Sequence, residues 1–148
     1  MRFVIQRVDH ARVLVDSETV GEIEKGFLVL VGVCNEDDRN TADRMVRKMC
    51  GLRIFEDENG KTNLSLKDVG CELLIVSQFT LYADCKKGYR PSFTKAGDPV
   101  LANDLYEYIL QEAGKMIPVV RRGVFGAHMQ VELTNHGPFT VLLDSSDI

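Results

Sequence analysis

Polarity along the chain alternates first and then changes period. Residues 2–8 and 11–16 alternate or run apolar on either side of Asp9 and His10, which predicts a hairpin. Thr19 to Ile23 and Phe27 to Val33 predict two further strands, broken at Glu24, Lys25 and Gly26. From Asp37 the spacing becomes helical. Ala42, Met45, Val46 and Met49 fall on one face, with Asn40 or Thr41 as N-cap and Gly51 as the stop. Arg53 to Phe55 reads as a short strand and Glu58-Asn59-Gly60 as a turn. Glu72 to Val76 is an apolar run of the length of a buried strand. After a loop from Gly88 to Pro99, residues 100–116 carry Leu101, Leu105, Tyr108, Ile109 and Ala113 at helical spacing, with Gly114 near the end and Pro118 beyond it. His128 to Leu133 and Phe139 to Leu143 predict a last strand pair around a turn at Asn135–Pro138.

Strands outnumber helices in this reading. The expected fold is α/β, with mixed, mostly antiparallel sheets and two main helices packed on one side. At 148 residues, with no repeat, low-complexity tract or linker, residues 1–148 form one domain. No apolar stretch approaches the roughly 20 residues of a membrane span, and the N-terminus lacks the apolar core of a signal peptide. A cytoplasmic protein without a membrane partner is expected.

Charge and cysteine use narrow the chemistry. The net charge of −4 argues against bulk electrostatic coating of nucleic acid, so no DNA partner is expected. Basic residues nevertheless cluster at Lys86, Lys87, Arg90 and Lys95, and again at Arg121 and Arg122. Such clusters are usually solvated faces, but the first follows the 77–81 segment closely enough to contact phosphates beside it. The four cysteines form no C-x-x-C pair and the three histidines no ligand pair, so neither metal nor cofactor is expected. Cys34, Cys50 and Cys71 read as small hydrophobes and Cys85 as the exposed thiol.

Two fragments carry candidate chemistry: Ser77-Gln78-Phe79-Thr80-Leu81, where the apolar run ends, and Asn135-His136-Gly137-Pro138-Phe139-Thr140. A strand end can present main-chain N–H groups to a developing oxyanion. The Thr80 hydroxyl could attack or orient water, and Ser77 and Gln78 could hydrogen-bond a polar ligand. Strand alternation turns Phe79 away from Gln78 and Thr80, which favours a core position over stacking on a base. No His, Asp or Glu lies within this fragment to activate a nucleophile, so attack by water is favoured over a covalent Thr80 intermediate. Gly137 has no side chain and Pro138 no N–H, so this dipeptide offers carbonyl oxygens and close backbone approach, both suited to an ammonium group.

These fragments, with the opening MRFVIQRV, the central KKGYRPSF and the closing FTVLLDS, resemble the D-aminoacyl-tRNA deacylase family over nearly the whole chain. The resemblance implies hydrolysis of the ester joining a D-amino acid to tRNA, and removal of glycine misattached to alanine tRNA. It implies an α/β homodimer in which the Gly137–Pro138 turn of one subunit reaches the partner's site. It also implies a cis bond there, as a filter that rejects L-aminoacyl substrates. Catalysis would then rest on Ser77, Gln78 and Thr80, substrate binding on Phe79, Gly137 and Pro138, and tRNA contacts on Lys86, Lys87 and Arg90. Where the family more often has Asn, this chain has Tyr89. Competing readings are a non-catalytic binder of tRNA ends, an esterase of small acyl groups, and an oligomerisation scaffold. The chain has no G-x-S-x-G elbow to support the esterase.

Overall fold

The computed structural model describes residues 1–148. Eleven elements follow one another: β1 (Arg2–Val15), β2 (Glu18–Ile23), β3 (Gly26–Gly32), α1 (Arg39–Cys50), β4 (Phe55–Glu56), β5 (Thr62–Leu64), α2 (Leu66–Val69), β6 (Glu72–Ser77), α3 (Pro99–Met116), β7 (Val120–Arg122) and β8 (Gln130–Asp144). The main sheet runs β2-β1-β3-β6-β7, with β8 along the other edge of β1. β1 pairs antiparallel with β2, β3 and β8, whereas β3–β6 and β6–β7 are parallel. β4 and β5 form a separate two-stranded ribbon. The fold is thus a mixed α/β single domain.

Side-chain parity builds two cores. Phe3, Ile5, Phe27, Val29, Leu73 and Ile75 point to one face and meet the buried stripes of both long helices, Ala42, Met45, Val46 and Met49 of α1 and Leu105, Tyr106, Ile109 and Ala113 of α3. The opposite face gathers Val8, Ala11, Val13, Ile23, Leu28, Leu74 and Val76, enclosed as β2 curls back towards β7. Both helices therefore lie on one side of the sheet. Neither is long and apolar enough to cross a membrane.

Several local expectations are corrected. Asp9 and His10 do not turn. β1 runs straight through them, and the register with β8 slips there, so the broken alternation marks a β-bulge. The turn after β1 comes later, at Asp16 and Ser17, both left-handed, which suits a two-residue hairpin. The two last strands are one: β8 continues through Asn135–Pro138. α1 is capped by Asp38, whose carboxylate accepts from the Thr41 N–H at 2.8 Å, ahead of both expected caps. α3 starts at Pro99 with Asp98 as cap. The cysteines are all free, Cys50 buried, Cys34 and Cys71 half-buried and Cys85 exposed. Burial pushes the Cys50 thiol up to about 11.

Candidate active site

The parallel pair β3–β6 ends at a single level, where Val31 pairs with Ser77 and the Gln78 N–H donates to the Val31 carbonyl at 2.7 Å. Beyond it the chain leaves the sheet as a 3-10 turn, Phe79–Tyr82. Gly32 makes room for that turn, since a Cβ there would lie 2.9 Å from Leu81 Cβ. The first N–H groups of a helical turn have no partner within it, and those of Phe79 and Thr80 donate to no other backbone carbonyl. Two candidate oxyanion donors thus sit at a strand end that the core holds still. The Gln78 side-chain amide donates to the Thr80 hydroxyl, tying the two residues together.

Phe79 is not core. The strand pattern stops at Ser77, so parity no longer governs the side chains beyond it, and Phe79, two residues on, is 59% exposed. Its ring meets Phe93 edge to face, 5.2 Å between centroids. Together they border a cavity of about 640 Å³. Ser77 and Gln78 line its floor edge, and Val31, Val76, Tyr106, Phe125 and Met129 make much of the apolar wall. Thr80 stands outside that lining, one residue further along the turn. The Tyr106 hydroxyl donates to the Ile75 carbonyl at 2.8 Å, and burial pushes this phenol up to about 12. No carboxylate lines the cavity; besides the neutral Tyr106, His128 is its one titratable side chain.

The second fragment lies elsewhere. Gln6 pairs with Thr140 and Val8 with Asn135, so four residues of β8, 136 to 139, stand opposite Arg7 alone. The surplus backbone bows outward, and Gly137, Pro138 and the cis bond between them are exposed on the excursion. Arg7 holds it from below. Its guanidinium donates to the His136 carbonyl at 3.2 Å, to Gly137 at 3.1 Å and to Ile54 at 2.6 Å, and lies 4.3 Å from the Phe139 ring centre. His136 Nδ1 is 2.9 Å from Asp9 Oδ1, and Thr140 donates to the Gln6 side chain. The Gly137 carbonyl is therefore already engaged by a cation.

One protomer does not bring the fragments together. Phe3 pairs with Val31 and Arg7 with Phe27, so the excursion and the strand tip lie four residues apart along the strands (7 − 3). They are also three strand spacings apart across β8, β1, β3 and β6. At about 3.3 Å per residue and 4.8 Å per strand, the separation is on the order of 20 Å.

The basic loop follows the 3-10 turn. Asp84 and Ser92 exchange two backbone hydrogen bonds, 2.7 and 2.9 Å. The Asp84 carboxyl accepts from the Lys86 N–H and pairs with Lys95 at 3.2 Å, contacts that hold it below the usual carboxylate range. Lys86, Lys87 and Arg90 are exposed and in no ion pair. Of the second basic pair, Arg122 is bound to Glu107 and Arg121 is exposed.

Two contributors carry no motif. Arg7 is only 3% exposed, and its signal was parity: it follows Phe3 and Ile5 on the inward face of β1, where a cation is out of place without a task. Tyr106 sits on the helical stripe of α3 with Ile109 and Ala113, where its hydroxyl was the sign of a partner.

Residues 4–144 match the family model described as D-Tyr-tRNA(Tyr) deacylase. The D-aminoacyl-tRNA deacylase of Clostridioides difficile (strain 630) is 57% identical over 146 residues, 99% of this chain and 98% of that protein. That of Thermosipho africanus (strain TCF52B) is 53% identical over 148 residues, covering 100% and 99%. Among solved structures, the c-Myc DNA Unwinding Element Binding Protein superposes with a TM-score of 0.92 at 40% identity, covering 97% and 98% of the two chains. A probable eukaryotic D-amino acid tRNA deacylase, 18% identical with a TM-score of 0.85 over 96% and 97%, shares the fold. This chain belongs to the D-Tyr-tRNA(Tyr) deacylase family, whose members are ester hydrolases acting on D-aminoacyl-tRNA.

Proposed function

We propose that the chain hydrolyses the ester of D-aminoacyl-tRNA, and of glycine misattached to alanine tRNA, at the end of β6 in a cytoplasmic homodimer. The observation that carries this reading is the strand tip, with two unpartnered N–H groups, that of Phe79 at the rim of an apolar cavity and that of Thr80 one residue beyond it. A cavity of that size accommodates the terminal adenosine, with Phe79 stacked on the base, a contact worth about 1–3 kcal/mol. The ester then lies over residues 77–80. Water attacks the carbonyl carbon, the N–H groups of Phe79 and Thr80 take the oxyanion, and collapse expels the ribose 3′-oxygen, which leaves protonated. Gln78 positions the Thr80 hydroxyl to orient the water.

This scheme uses no protein base: no carboxylate lines the cavity, and its one histidine, His128, makes no hydrogen bond to Ser77, Gln78 or Thr80. The vicinal 2′-hydroxyl of the ribose can carry the proton between water and leaving group, which ties turnover to RNA. Replacing the terminal adenosine by its 2′-deoxy form is expected to abolish turnover and spare binding. Equal turnover of both forms would refute the assistance.

Chirality is the task of Gly137 and Pro138, delivered by a second copy of the chain. β8 supports this. It is bonded on one side only, and Leu133 and Leu142 stand exposed along its 15 residues, an edge that a soluble protein covers. With amine and ester carbon fixed, an L side chain runs into the backbone wall while a D side chain leaves toward solvent. Glycine has none to exclude. Discrimination of 10³–10⁴ requires roughly 4–5.5 kcal/mol, which rigid backbone supplies better than soft side chains. Purified protein incubated with matched D- and L-tyrosyl-tRNA should release tyrosine from the D form only. Release from neither, or from both equally, defeats the proposal, as does a fully active monomer by light scattering.

A further inference from the structure

Tyr89 is the most exposed of the large hydrophobic residues and packs against nothing, at the tip of a loop that is otherwise tied down. The Asp84–Ser92 hydrogen bonds and the Lys95–Asp84 ion pair close the base of that loop. Between them the side chains of Lys86, Lys87 and Arg90 form no ion pair, in a chain whose net charge is −4. An aromatic face flanked by unpaired cations on a preorganised loop is the composition of a single-strand stacking platform. The base of the loop adjoins the cavity, because Phe93, next to Ser92, lines it. Tyr89 is four residues from Phe93 (93 − 89), so it reaches at most about 14 Å from the cavity rim. We propose that Tyr89 stacks on an unpaired base of the substrate RNA just 5′ of the terminal adenosine, while Lys86, Lys87 and Arg90 hold its phosphates. This rests on the deacylase reading for the placement of the terminal adenosine in the cavity, not for the stacking itself.

The test uses uncharged tRNA carrying 2-aminopurine at one of the unpaired positions before the terminal adenosine, so it does not require turnover. The whole protein should quench the fluorophore on binding. Tyr89→Ala should abolish the quenching and weaken binding roughly tenfold, and Tyr89→Phe should restore both. Lys86→Gln should instead lower the slope of log K against log salt by about 0.7, leaving the quenching at saturation intact. Full quenching by Tyr89→Ala, or unchanged affinity, overturns the proposal. Failure of the deacylase reading shows itself separately, as binding with normal quenching and no release from D-tyrosyl-tRNA.

Discussion

The strand tip at residues 77–80 and the excursion at 136–139 both project backbone groups outward, yet they are held by opposite means. The tip grows from two parallel strands buried on both faces, and its N–H groups are fixed by what lies immediately before them in sequence. The excursion bows out of an exposed edge strand and is held by a guanidinium 130 residues away along the chain. Groups that stabilise charge need a stiff mount more than a particular neighbour. In the proposed dimer, a stereochemical wall must protrude far enough to reach a ligand in the other subunit, so it needs an anchor beneath it. The difference predicts that damage to the anchor and damage to the tip will be distinguishable.

The largest effect is expected at the anchor. Arg7→Ala leaves the carbonyls of Ile54, His136 and Gly137 without their donor and a void beside Phe139. Stability should fall by about 4 kcal/mol in urea denaturation. The surviving folded enzyme should discriminate D from L poorly while still cleaving the ester. Loss of cleavage with selectivity retained would invert the comparison. Next comes Gly137→Ala. A Cβ there would lie 3.8 Å from the Asn135 amide, ordinary contact, so the protomer should keep its stability within about 0.5 kcal/mol. Turnover of D-tyrosyl-tRNA should nevertheless drop about a hundredfold, because in the proposed dimer the methyl would meet the ligand and not its own subunit. A variant that unfolds would contradict the open surroundings of Gly137.

The same contrast explains what could be read from sequence. The apolar run of β6 and the stripes of α1 and α3 announced themselves, because each is decided by neighbours within a turn or a strand. The ends of the chain did not. Asp9-His10 and Gly137-Pro138 look like turns locally, but they are matching irregularities in one long strand pair, and only the register of β1 against β8 reveals it. Phe79 departs from the core expectation for a related reason: strand parity does not hold two residues past the point where the sheet ends. The residues of the tip are adjacent in sequence and were found together. The cavity wall, drawn from β3, α3 and the segment before β8, has no local signature beyond a tyrosine in an apolar stripe.

At the tip, Thr80→Val keeps the shape and removes the hydroxyl that accepts from Gln78. A loss of about tenfold in kcat is expected if Thr80 only orients water, the value of one hydrogen bond. A loss of several thousandfold would make Thr80 the nucleophile and would move the chemistry from the backbone to a side chain.

The smallest effect concerns the back wall of the tip's cavity. Tyr106→Phe removes the bond to the Ile75 carbonyl, and at neutral pH should lower stability by about 1 kcal/mol. The pH dependence carries the sharper information. The unfolded phenol ionises near 10, whereas the buried one keeps its proton up to about 12. The folded state thus binds the proton more tightly, so this contribution is whole below pH 10 and is lost as pH rises towards 12. It amounts to about 2–3 kcal/mol at most. The variant has no such loss, so urea midpoints measured from pH 7 to 12 should converge and then cross. Parallel curves would mean that Tyr106 is hydrated in the folded protein, and that the wall behind the strand tip is as open as the edge that carries Gly137.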